Sequence, residues 1–142
     1  MRYNTFMTIT VPTSSKREVI DITDKIAREI AGLTGVVTIF SLHSTTAVTT
    51  ANLDPGTDQD LLAALDAMLP HLPWQHAHNP AHAPDHLLAS IVGPSLSVPV
   101  RSGQLQLGRW QRVVLVELNG PQERRIEIAI MASNSPDPNF VL

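Results

Sequence analysis

Apolar and polar positions change rhythm several times along the chain, and these changes divide it into short elements. From Tyr3 to Val11, Phe6 and Ile9 stand among threonines, the pattern of a strand. Thr13-Ser14-Ser15 reads as a turn, and Arg17 to Ile22 as a second strand. Ile22, Ile26 and Ile30 then recur every four residues, joined by Ala27 and Leu33, which predicts an amphipathic helix ended by Gly32 and Gly35. Val36 to Leu42 is β-branched and apolar, as in a buried strand, and Thr45 to Ala51 is rich in threonine and valine, as in the next one. Asp54-Pro55-Gly56-Thr57 suits a helix entry, because proline tolerates the first helical position and aspartate or threonine can cap free N–H groups. The stripe Leu61, Leu62, Leu65, Met68 and Leu69 follows, and Pro70 stops it.

Leu72 to Asp85 has no clear period. Pro84 and Asp85 suit the first turn of a short helix, His86 to Val92, closed by Gly93-Pro94. Leu96 to Val100, a turn at Ser102-Gly103, and Gln104 to Leu107 come next. Arg112 to Leu118 and Arg124 to Met131 alternate over long runs, and Asn119-Gly120-Pro121-Gln122 between them predicts a hairpin. In the last of these strands Ile126, Ile128 and Ile130 share a side with Arg124, which turns Arg124 towards the core or a pocket rim and Arg125 with Glu127 outward. Ser133 to Asn139 reads as a polar tail. No repeat or composition shift divides residues 1–142, so the expectation is a single α+β domain: an antiparallel β-sandwich of six to eight strands with about three helices.

Composition narrows the functions open to such a domain. With 142 residues the chain is long enough to bury a core without staples, and 43% hydrophobic content agrees. It has no cysteine, which removes disulfides, thiolate metal sites and cysteine nucleophiles and suits the cytoplasm. A formal net charge of -3 provides no field to gather nucleic acid. No apolar run approaches the ~20 residues that cross a bilayer, and the N-terminus lacks the basic start of a signal peptide.

Histidine carries the candidate chemistry. Six are present, at 43, 71, 76, 78, 82 and 86, and five of them fall within sixteen positions. In a chain without cysteine, neutral imidazoles with carboxylate or water are the natural ligands of a zinc-like ion, whereas magnesium prefers oxygen. His82 and His86 are four apart, but Pro84 lies between them and makes the spacing a weak helical pair. His43 ends a buried strand and precedes Ser44-Thr45-Thr46, hydroxyls able to bind an anion. Asp54 reads either as a helix cap or as a carboxylate facing the His43 segment. Trp74 and Trp110 fit core or interface positions, and Arg124 or Arg125 could clamp a phosphate. There is no Walker loop, no GxGxxG and no nucleophile elbow.

Longer stretches resemble the YjbQ family. His43-Ser44-Thr45-Thr46-Ala47-Val48-Thr49 with Asp54-Pro55 is similar to its HTTAAxT…DP signature. Gly93 to Val100, the run Gly103-Gln104-Leu105-Gln106-Leu107-Gly108-Arg109-Trp110-Gln111, and Val116-Glu117-Leu118-Asn119-Gly120-Pro121 with Arg124-Arg125 resemble further motifs. So does Asp21-Ile22-Thr23 at the first helix. Two positions depart: Ala51-Asn52-Leu53-Asp54 lacks the Asn-Glu pair of many relatives, and Arg109 stands where threonine is frequent.

The resemblance implies a β-sandwich with helices that assembles as a homotrimer. It also implies a secondary thiamine-phosphate synthase activity, joining a pyrimidine diphosphate to a thiazole phosphate. Carried over by position, the pocket would use His43, His76 and His86 as metal ligands, with His82 from the local loop. Asp54 and Arg124 would be catalytic, Arg124 meeting a phosphorylated ligand. The alternative is a metal-binding trimer without that catalysis, its histidines shared between neighbouring chains.

Overall fold

The computed structural model describes residues 4–133; Tyr3 and the tail beyond Ser133 lie outside the described residues. Eight strands and three α-helices follow in the order β1 (Asn4–Pro12), β2 (Glu18–Asp21), α1 (Thr23–Glu29), β3 (Gly35–Ser41), β4 (Thr46–Ala51), α2 (Thr57–Met68), α3 (Ala83–Val92), β5 (Ser95–Arg101), β6 (Gln104–Leu105), β7 (Arg112–Glu117) and β8 (Glu123–Ala132). The expected α+β class is observed. The strands form a five-stranded sheet in the order β1-β8-β3-β5-β6 and a three-stranded sheet in the order β2-β7-β4, and every pairing is antiparallel.

Two apolar cores explain the layering. Val113 and Leu115 of β7 point towards the larger sheet, where they meet Val37, Ile39, Ile126 and Ile128, with Ile26 of α1 and Ile30 just after it filling the same layer. Each isoleucine fully buried there contributes about 2–3 kcal/mol. Val114 and Val116, on the other face of β7, pack with Leu62 and Leu65 of α2 and Leu88 of α3. A strand buried on both faces reads as an uninterrupted apolar run, which is what Val113 to Val116 is.

The predicted hairpin between the last two long strands does not form. β7 belongs to the smaller sheet and β8 to the larger one, so the Asn119–Gln122 segment is a corner between sheets. The reason lies in β7 itself: buried on both faces and flanked by β2 and β4, it has no free edge for β8. Thr13 holds the corner from the β1–β2 turn, donating through Oγ1 to Glu117 and accepting from the N–H of Gln122 at 2.8 Å.

Smaller differences concern boundaries. The third helix begins at Ala83 rather than at His86, after a 3-10 turn over Pro80–His82 that the Asn79 side chain caps. β6 is limited to Gln104–Leu105. In β8, Arg124, Ile126, Ile128 and Ile130 are buried and Arg125 is exposed, the register that the alternation predicts. Among the described residues, no helix is long and apolar enough to cross a membrane.

Candidate functional site

The segment leaving β3 is tied down before it enters β4. Ser41 Oγ and Thr46 Oγ1 share a short hydrogen bond across the loop, and the N–H of His43 donates to Ser41 Oγ at 3.3 Å. This places the His43 ring over the start of β8, where its Nε2 accepts the backbone N–H of Arg125 at 2.8 Å. Burial, then the positive charges of Arg124 and Arg125, hold the His43 pKa below the ordinary histidine value, against an opposing contribution from Glu117. His43 is therefore a neutral ring at neutral pH, with its proton on Nδ1 and its Nε2 lone pair in use.

His86 comes from the first turns of α3. Its Nδ1 lies 3.3 Å from the carbonyl of Ser44. A carbonyl only accepts, so Nδ1 carries a proton, and the tautomer this selects has its lone pair on Nε2. His43, Ser44, Thr46, His86, Ala89, Ser90 and Pro94 line one cavity of about 160 Å³. A second, of about 300 Å³, lies on the other side of His86 and is walled by Trp74, Gln75, His76, Ala83 and Leu87. The rings of His76 and His86 are 4.7 Å apart between centroids, and His78 meets His76 edge-on at 6.0 Å. His71 is exposed outside both cavities.

The remaining predicted residues go elsewhere. His82 ends the 3-10 turn with its Nδ1 3.6 Å from Asp85 Oδ2. Asp85, nearly fully buried, is paired with Arg17 Nη1 at 2.9 Å, and Arg17 also donates to the carbonyl of Leu118. Asp54 does not cap α2, whose N-cap is Gly56, and does not face His43. It lines a separate cavity with Asp21, Leu53, Arg109, Trp110 and Arg112, which shares no residue with the histidine cavities.

Arg124 is not a free phosphate clamp. Fully buried, it donates from Nε and Nη2 to the two oxygens of Glu117 at 2.7 and 2.6 Å, and from Nη2 to Thr45 Oγ1 at 2.9 Å. Burial pulls the Glu117 pKa upward, but hydrogen bonds from Arg124, the Asn119 N–H and Thr13 outweigh it and keep the carboxylate ionised. Sequence reasoning missed Glu117, Asp85, Arg17 and Ser90. A glutamate closing the apolar run Val113 to Val116 was the available signal for the first.

Among the described residues, the four histidines expected to hold zinc do not form one cluster. Among the described residues, no three histidine, aspartate or glutamate side chains are grouped to hold a metal ion. The donor chemistry explains this: His43 has spent its Nε2 on a backbone amide and His82 faces a carboxylate elsewhere. His86 and His76 alone fall short of the four ligands of a structural zinc centre or the three of a catalytic one.

Fold and site thus define a two-sheet α+β protein with a histidine-lined cleft between the β3–β4 connection and α3. The sequence profile described as UPF0047 protein YjbQ-like matches residues 7–133, and the chain belongs to this YjbQ/UPF0047 family. A UPF0047 protein of Archaeoglobus fulgidus is 36% identical over 121 residues, 84% of this chain and 96% of that relative. UPF0047 protein YugU of Bacillus subtilis is 32% identical over 131 residues, covering 87% and 97%. The crystal structure of a YbjQ-like protein of unknown function from Sulfolobus solfataricus superimposes with a TM-score of 0.84 at 33% identity, covering 94% of this chain and all of that one.

These findings correct the expectation of thiamine-phosphate synthesis. The relatives carry family designations without that activity, and the Sulfolobus protein is described as of unknown function. The parts invoked for diphosphate displacement are also not together. Arg124 is committed to Glu117, Asp54 is in another cavity, and among the described residues no group of metal-ligating side chains stands by the histidines.

Proposed function

We propose that the cleft binds a small organic oxyanion, such as a carboxylate or phosphate ester, and that His86 is its acid–base group. The observation that carries this reading is the lining of the smaller cavity: two imidazoles and the hydroxyls of Ser44, Thr46 and Ser90, with no carboxylate. Hydroxyls and the Nδ1–H of His43 supply hydrogen-bond donors, while a hard cation would need carboxylate oxygens that this cavity lacks. The charges of Arg124 and Arg125 beside His43, offset only in part by Glu117, favour negative charge in the same place. Across the His86 ring the second cavity is walled by Trp74 and Leu87, which suits an apolar body attached to the anionic head. With Nδ1 fixed on Ser44, Nε2 of His86 is free to accept a proton from a bound hydroxyl or water.

Titration with phenyl phosphate, followed through the histidine ring signals in NMR, tests the reading. Saturable shifts at His86 and His43 at about 1 mM ligand, an affinity of about 4 kcal/mol, are expected, and Ser90→Ala with Ser44→Ala should weaken them. No shift at His86, or the same shift in the double variant, would sink it.

Self-association is part of the proposal. The outer face of the larger sheet leaves Phe6, Val36, Phe40 and Met131 exposed on neighbouring rungs, an apolar surface that supports the homotrimer implied by the family resemblance.

A further inference from the structure

The third cavity, about 270 Å³, lies apart from the histidines and has its own chemistry. One wall comes from a tight turn: the N–H of Gln111 donates to the carbonyl of Gly108 at 3.0 Å, and Gln111 Oε1 accepts the N–H of Gly108 at 2.7 Å. The two residues at the tip, Arg109 and Trp110, are held out from the body, and Trp110 is 62% exposed. The Arg109 guanidinium sits over the indole, 4.8 Å from the ring centroid. Stacking pins a guanidinium in place while leaving its N–H edges available for a planar, two-oxygen anion.

The other charges sort into matched and unmatched. Arg112 is consumed by Asp21 at 2.8 Å and Asp24 at 3.3 Å. Among the described residues, neither Arg109 nor Asp54 makes an ion pair, and both line this cavity, with Leu53 and the indole giving apolar wall between them. One pinned cation, one carboxylate and an aromatic platform are complementary to a molecule carrying a carboxylate, an ammonium and an apolar group.

We propose that this cavity is a second ligand site, for a zwitterionic α-amino acid with an aromatic or apolar side chain. Its carboxylate meets the Arg109 guanidinium, its ammonium meets Asp54, and its side chain lies against Trp110 and Leu53. The arrangement also gives a role to the arginine that departs from the frequent threonine, and to the acidic residue that the fold takes away from His43.

Calorimetric titration of the full chain with L-phenylalanine, 3-phenylpropionate and 2-phenylethylamine tests it, since the second probe lacks the ammonium and the third the carboxylate. L-Phenylalanine is expected to bind about tenfold or more tightly than either, the effect of one charge-assisted hydrogen bond in each case. Arg109→Ala and Asp54→Asn, both at exposed positions, should each weaken L-phenylalanine by a similar factor with unchanged thermal denaturation. Equal binding of 3-phenylpropionate would reduce the site to an anion patch and overturn the assignment. So would the absence of saturable binding, or an Asp54→Asn variant that binds as well as the parent.

Discussion

The ring of His43 stands on the backbone of Arg125: its Nε2 accepts that residue's N–H at 2.8 Å, joining the β3–β4 connection to an N–H on the strand that starts at Glu123. A neutral imidazole can accept this bond and an imidazolium cannot, because both nitrogens of the charged ring are donors. The bond therefore makes one local contact of the fold depend on a proton.

Its sign follows from linkage. The His43 pKa is lower in the folded chain than in the unfolded one, so between those two values the unfolded chain binds more protons. The His43 contribution is complete above about pH 6.5 and is lost as pH falls through the folded value. His43→Asn, which keeps an acceptor but does not titrate there, should flatten part of the fall in stability below pH 6.5. Urea denaturation of both proteins across that range measures it, and parallel curves would remove His43 from the account.

Breaking the Arg124–Glu117 pair from one side should be far worse than removing Arg125. Arg124→Ala leaves a buried, uncompensated carboxylate and should cost about 3–5 kcal/mol. Arg125→Ala, on the exposed face, should stay within about 0.5 kcal/mol. Replacing both partners by apolar residues, Arg124→Met with Glu117→Leu, should recover most of the loss. Denaturant midpoints for the four proteins decide, and a double variant no better than Arg124→Ala would contradict the argument.

Asp85 and His82 should separate in the same way. Asp85 is buried beside Arg17, and its Oδ2 has no hydrogen-bond partner, so the carboxylate depends on the surrounding cations Arg17 and Lys16, with the His82 ring on its outer side. Asp85→Ala should cost about 3 kcal/mol, whereas His82→Ala, touching only the outer side of the cluster, should cost less than about 1 kcal/mol. Thermal denaturation of the two variants compares them directly; a larger loss from His82→Ala would assign that histidine a role not described above.

Charge placed on the outer sheet face should prevent assembly. If the protein is the trimer proposed above, Phe6→Glu with Phe40→Glu is expected to turn it into a monomer without loss of secondary structure. Sedimentation velocity at micromolar concentration reads the mass, and a monomeric parent protein would refute the trimer outright.

The strands and helices were legible wherever one residue's neighbours settle its fate. Ile22, Ile26 and Ile30 mark α1, and the alternation through Ile126, Ile128 and Ile130 gives the register of β8. What could not be read was pairing at a distance. Asn119 to Gln122 has hairpin composition, but whether two strands pair depends on which edges β2 and β4 have already taken. The site shows the same division. The sequence brings attention to His43, His76 and His86, and the fold sets His43 and His86 around one cavity and His76 against His86. It could not reveal that a backbone N–H would occupy His43 Nε2, or that Glu117 would claim Arg124.

Each sheet depends on an interior strand that is supplied late. β7 lies between β2 and β4, and β8 between β1 and β3, so neither sheet closes until residues 112–132 are available. During synthesis on a ribosome, most of the polypeptide must wait with its strand edges open while the joining pieces are still being made. Such delayed, long-range pairing makes for slow folding and a nascent chain exposed to aggregation, and a stop codon placed before residue 112 would leave β3, β5 and β6 as one partial sheet and β1, β2 and β4 without partners.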